Sequence, residues 1–163
     1  FGEIQYIGSQ LRRLDAIAEL AQEGPLAYYL SVECFENRES ILKPEKASLT
    51  LNGGRNLLRE LRTIGVETSF LYITGLDSPS VAREELVQYR DVVTRLPLIE
   101  TFQLYQPEQI ILRNEAAARP EYFLQIRQAV EDCFPRLRPD LNMNYRGLWY
   151  SQYSSHLLEN PEL

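Results

Sequence analysis

The chain has 163 residues, 44% hydrophobic and 25% charged, which suits one folded domain with a real core rather than a disordered segment. Seventeen basic against 23 acidic residues leave a charge of −6, the wrong sign for a nucleic-acid footprint. No apolar run reaches the length of a membrane span, no secretory signal is visible, and Cys34 and Cys133 are too few for a disulfide framework, so a cytoplasmic setting is expected.

The first residue is Phe1 and the sole methionine is Met143, so a truncated piece of a longer protein is expected. Residues 1–7 read as the tail of a strand or a loop. Ser9 is placed to cap a helix over 10–22, with Leu11, Leu14, Ile17, Ala18 and Ala21 on one face. Gly24-Pro25 stops it, and 26–32 is an apolar, aromatic strand that ends in Ser31-Val32-Glu33-Cys34. A polar connection over 35–48 follows, with Arg38, Lys43 and Lys46 near Pro44. A second helix over 49–64 turns Leu51, Leu57, Leu58, Leu61 and Ile64 inward, weakened by Gly53-Gly54.

Gly65 sits where a left-handed cap is expected, and 67–73 is the second strand. The polar turn after it puts Pro79 at the first position of a helix over 79–96, which Pro97 ends. A third strand is read over 99–105 and a long connection over 106–119. A last helix runs from Pro120 to Phe134, before an aromatic tail over 135–163. Strands separated by single helices imply parallel pairing through right-handed crossovers. The class is α/β, and three or four such strands make a small open sheet or part of a larger barrel.

No phosphate loop, GxGxxG, HExxH or GxSxG motif is present. Ligands of α/β folds gather at the carboxyl ends of strands. Glu33 ends the first strand there and could meet an amine or hydroxyl, or simply face solvent. Arg38 and Lys43 could bind a carboxylate or phosphate at the same mouth, or be solvated loop residues. Ile73, two before Gly75, would let a flat ring lie against the chain. Gln103, Tyr105 and Gln106 end the next strand at the same level.

Three stretches together, LSVECFENRESILKP, GVETSFLYITGLDSP and LIETFQLYQPEQ, resemble the latter half of a radical SAM (S-adenosylmethionine) core domain, most like the biotin synthase branch. The resemblance covers about residues 9–134. It implies half of a partial six-stranded (β/α) TIM-like barrel over 1–134, with the three strands as the fourth, fifth and sixth. It implies that Ser31 and Glu33 meet the ribose and methionyl part of S-adenosylmethionine. Arg38 would meet the methionine carboxylate, with Lys43 as second candidate. Residues 71–78 match the central Ile73 and Gly75 of the family's loose GxIxGxxE pattern near the adenine. Leu71 replaces its first glycine, Ser78 stands at its last acid, and Asp77 lies one position early. Leu104, Tyr105 and Gln106 would approach the same ring.

The family's CxxxCxxC triad and glycine-rich motif are absent, and both belong to the first half of the barrel. The resemblance therefore implies a 4Fe–4S cluster whose ligands lie outside this chain, in a parent that cleaves S-adenosylmethionine reductively to a 5′-deoxyadenosyl radical. A small-molecule substrate and a reductant such as ferredoxin or flavodoxin would be the parent's partners, and the piece alone would be inactive. Two other readings stand beside it: a fragment of another (β/α) barrel enzyme, of aldolase or hydrolase type, and a non-catalytic α/β interaction domain.

Overall fold

The protein is described by a computed structural model over residues 2–138. The aromatic run with Tyr145, Trp149, Tyr150, Tyr153 and His156 lies outside the described residues. Four strands, β1 (Ile4–Gly8), β2 (Leu26–Glu33), β3 (Glu67–Thr74) and β4 (Leu98–Thr101), form one parallel sheet in the order β1-β2-β3-β4. Helices fill the crossovers: α1 (Leu14–Gln22), two four-residue turns α2 (Arg38–Ile41) and α3 (Pro44–Ala47), α4 (Leu51–Thr63) and α5 (Pro79–Val87). Two 3-10 turns, Pro107–Leu112 and Glu115–Ala118, lead into α6 (Pro120–Cys133). The sheet is curled, and its consecutive βα winding is that of half a (β/α) barrel.

The two faces of the sheet do different work. Tyr28, Leu30 and Val32 of β2, Phe70 and Tyr72 of β3, and Ile99 of β4 join Ile17, Leu58, Leu61, Leu86, Ile126 and Val130 in the main core. On the opposite face Ala27, Tyr29 and Leu98 form a small cluster with Leu71. A third cluster lies at the carboxyl end, where Cys34, Leu42 and Leu76 pack with Ile73, Phe102 and Leu112. β2 is buried on both faces for seven of its eight residues, as a central parallel strand should be.

Local chemistry explains the helix ends. Thr50 caps α4 by accepting the Gly53 N–H at 3.0 Å. A Cβ on Gly54 would stand 2.8 Å from the Leu30 side chain, so the glycine lets α4 lie close on β2. Gly65 has φ +80°, and the Gly65 and Val66 amides return to the Arg62 and Leu61 carbonyls at 3.1 Å, closing the helix as expected. Pro79 opens α5 behind the Ser78 cap, also as expected.

Several expectations are corrected. The described residues form four strands, not three, because residues 4–8 pair with β2. β2 accordingly lies between β1 and β3. Ser9 does not cap α1: it is buried, its hydroxyl lacks a partner among the described residues, and Arg13 precedes the helix. The helix over 79–96 stops at Val87. Thr68 draws the later residues into turns, donating its hydroxyl to the Val92 carbonyl at 2.8 Å and accepting the Thr94 amide at its own carbonyl. β4 ends at Thr101, four residues short of its expected end.

Candidate functional site

The carboxyl end of β2 departs from regular strand geometry. Ser31 pairs with Leu71 and Glu33 with Tyr72, so one extra residue of β2 bulges there. Glu33 has φ +68°, and the Cys34 amide donates to the Val32 carbonyl at 2.9 Å, closing a γ-turn around it. A left-handed residue other than glycine costs about 1–2 kcal/mol, so the surrounding structure must enforce it. Two side chains bind the backbone on either side of it.

Arg38 reaches back over the turn. Its Nη1 donates to the Val32 and Cys34 carbonyls, the latter at 2.6 Å, and its Nη2 to the Leu49 carbonyl at 3.2 Å. Its buried Nε has no hydrogen-bond partner among the described residues. Asp77, fully buried after β3, holds the next two amides. Its carboxylate accepts the Phe35 N–H at 3.0 Å and the Glu36 N–H at 2.7 Å. Glu36 returns the contact by accepting the Ser78 N–H at 3.2 Å. The loops after β2 and β3 are thereby bound to each other. Burial pushes the Asp77 carboxyl above its ordinary range, and the Glu36 and Phe35 amides pull it back.

The Glu33 carboxylate, one-seventh exposed at 14%, is ion-paired with the Lys46 ammonium of α3. Lys43 is exposed and Ser31 is buried one residue pair below Glu33. Burial raises the Cys34 thiol to about 12, so at neutral pH it is a protonated packing group.

On the β3 side Ile73 is half-buried in the cluster with Cys34, Leu76 and Phe102. Gly75 has φ +110°. A Cβ there would stand 3.2 Å from the Phe102 Cβ, so the glycine accommodates the chain itself as well as any approaching ring. Leu104, Tyr105 and Gln106 lie beyond β4 and are exposed. The Tyr105 and Gln106 amides are tied to the Gln109 side chain at 2.9 and 3.1 Å.

The structure thus gathers Ser31, Glu33, Ile73 and Gly75 at one end of the sheet. Arg38 braces that end from behind, while Lys43 and residues 104–106 stand on exposed loops. Sequence reading missed two participants. Lys46 is Glu33's partner, and its only signal was a third cation in the polar connection. Asp77 is the bond between loops, and its signal was an acid one place early in the β3 motif.

The opposite end of the sheet is a different kind of cluster. The Arg95 guanidinium binds the Glu3 carboxylate, with one contact at 2.9 Å, and also the Glu67 carboxylate. These groups join the starts of β1, β3 and β4, the end of such barrels that serves stability.

Among the described residues no three His, Cys, Asp or Glu side chains gather as a metal site, and no helix is long and apolar enough to cross a membrane. No protein-family model matches the chain, and no curated protein matches it either.

Proposed function

We propose that the chain is the ligand-positioning half of a radical SAM barrel, holding S-adenosylmethionine at the carboxyl ends of β2 and β3. The observation that supports this is Glu33. A carboxylate on an enforced left-handed turn, at the strand end where such folds bind ligands, signals function rather than packing.

The residues present suit part of that ligand. Glu33 and Ser31 offer acceptors to an ammonium or ribose hydroxyls. Ile73 and the glycine turn after it offer an apolar surface to a flat ring. Arg38 spends two guanidinium nitrogens on three carbonyls, so the ligand carboxylate falls to a lysine. Lys46 is the nearer choice: an incoming ammonium takes its place on Glu33 and leaves the Lys46 ammonium for the ligand carboxylate.

The described residues do not suit a 4Fe–4S cluster: they hold two buried cysteines and no gathered set of three metal-ligating side chains. If bound beside a cluster held elsewhere in the parent, S-adenosylmethionine would supply radical hydrogen abstraction. This half binds, orients and shields it.

Calorimetry of S-adenosylmethionine binding to the full-length parent tests the reading. Glu33→Gln should lower affinity about ten- to hundred-fold, equivalent to roughly 1.5–3 kcal/mol for a charge-assisted contact. Lys46→Gln should weaken binding and Lys43→Gln should not. Unchanged affinity in Glu33→Gln would overturn the assignment.

A further inference from the structure

We infer that Arg38 and Asp77 are positioning residues: they fold the 32–36 backbone into the turn that presents Glu33, and they join that turn to the loop carrying Gly75. Arg38 holds the carbonyls on either side of Glu33, those of Val32 and Cys34. Asp77 holds the amides that follow, those of Phe35 and Glu36. Four backbone groups around the γ-turn, the Val32 and Cys34 carbonyls and the Phe35 and Glu36 amides, therefore meet a charged side chain.

Asp77 also reaches the other wing of the mouth. Its carbonyl accepts the Tyr122 hydroxyl at 2.8 Å, and that hydroxyl accepts the Gly75 N–H at 2.9 Å. The path Phe35–Asp77–Tyr122–Gly75 is a row of buried hydrogen bonds from one loop to the other. Neither loop can shift alone without breaking a bond that water cannot reach to replace. The acid one place early in the β3 motif thus has a role that needs no contact with a ligand.

The backbone arm of the test is independent of any ligand; only the binding arm rests on the function proposed above. In the protein, hydrogen exchange is followed by mass spectrometry in peptides spanning residues 32–38. Asp77→Asn should speed exchange there at least ten-fold, with peptides of β1 and α1 unchanged. S-adenosylmethionine affinity should fall at least ten-fold in the wild-type background and less than two-fold in a Glu33→Gln background, because Asp77 acts through Glu33.

Unchanged exchange over 32–38 would overturn the positioning role. Affinity losses that multiply between Asp77→Asn and Glu33→Gln would overturn the coupling. An unaltered affinity in Glu33→Gln, with local exchange still accelerated by Asp77→Asn, would reject the ligand and leave the positioning role supported. If Asp77→Asn does not fold, Arg38→Gln carries the same two readouts from the carbonyl side. Loss of the whole fold in both variants would also overturn the inference, since their role would then be global.

Discussion

The Tyr122 hydroxyl accepts the Gly75 N–H at 2.9 Å and donates to the Asp77 carbonyl at 2.8 Å, so one side chain of α6 closes the turn after β3. Both partners are buried, and Tyr122 itself is 2% exposed. Tyr122→Phe keeps the ring and strands both backbone groups. The expected cost is about 2–3 kcal/mol of unfolding free energy in urea titration, since an unpaired buried group costs about 1–3 kcal/mol. A loss under about 0.5 kcal/mol would mean water replaces the hydroxyl.

Gly75→Val is expected to damage the fold before it reaches any ligand. The positive φ alone costs a side-chain-bearing residue about 1–3 kcal/mol. The 3.2 Å approach to the Phe102 Cβ adds to it. Thermal unfolding of Gly75→Ala, the milder variant, should already show a clear drop. A melting temperature equal to wild type would show that Phe102 moves aside freely.

At position 33 the usual order of substitutions should invert. Glu33→Ala loses the pair with Lys46 and keeps the left-handed backbone. Glu33→Gly loses the pair and relieves the strain, so it should be more stable than the alanine variant by about 1 kcal/mol. Urea unfolding of the two compares them directly, and equal stabilities would show that the turn relaxes once the carboxylate is gone.

The Glu3 carboxyl is held below its ordinary 4.5, first by its bonds to Arg95 and then by Gln5. A carboxyl lowered on folding stabilises the protein above its unfolded value and loses that contribution as pH falls through the folded one. Stability should therefore decline below about pH 4.5, and Glu3→Gln should flatten part of that decline. Asp77, raised on folding, has the opposite sign: its charged form disfavours the fold above pH 3.8, so its removal should not flatten the acid limb. Identical pH profiles for wild type and Glu3→Gln would remove Glu3 from the account.

Runs of aromatic and β-branched residues made β2 and β3 readable, and the periods of α4 and α6 made those helices readable. β1 was hidden because it is five residues long at an edge, with Gln5 and Ile7 exposed and little to separate it from a loop. Glu33 and Gly75 were legible from their place after a strand. Arg38 was legible as a cation at that mouth but its hold on the backbone was not, because its targets are carbonyls that only a left-handed turn exposes, and no local pattern announces that turn. Asp77 escaped for a related reason: its partners lie 41 and 42 residues away, on a different loop.

The strand order has a consequence for assembly during synthesis. Each strand pairs with the one made just before it, so every βα unit can dock on a surface already present when it emerges. None of β1–β4 waits for a distant partner among the described residues, and the loop closed at each step stays near the length of one unit. The Arg95–Glu3 bond is the exception, joining residues 92 apart in sequence. It can close only when Arg95 emerges ahead of β4, so the start of β1 gains this contact after β1 has already paired with β2.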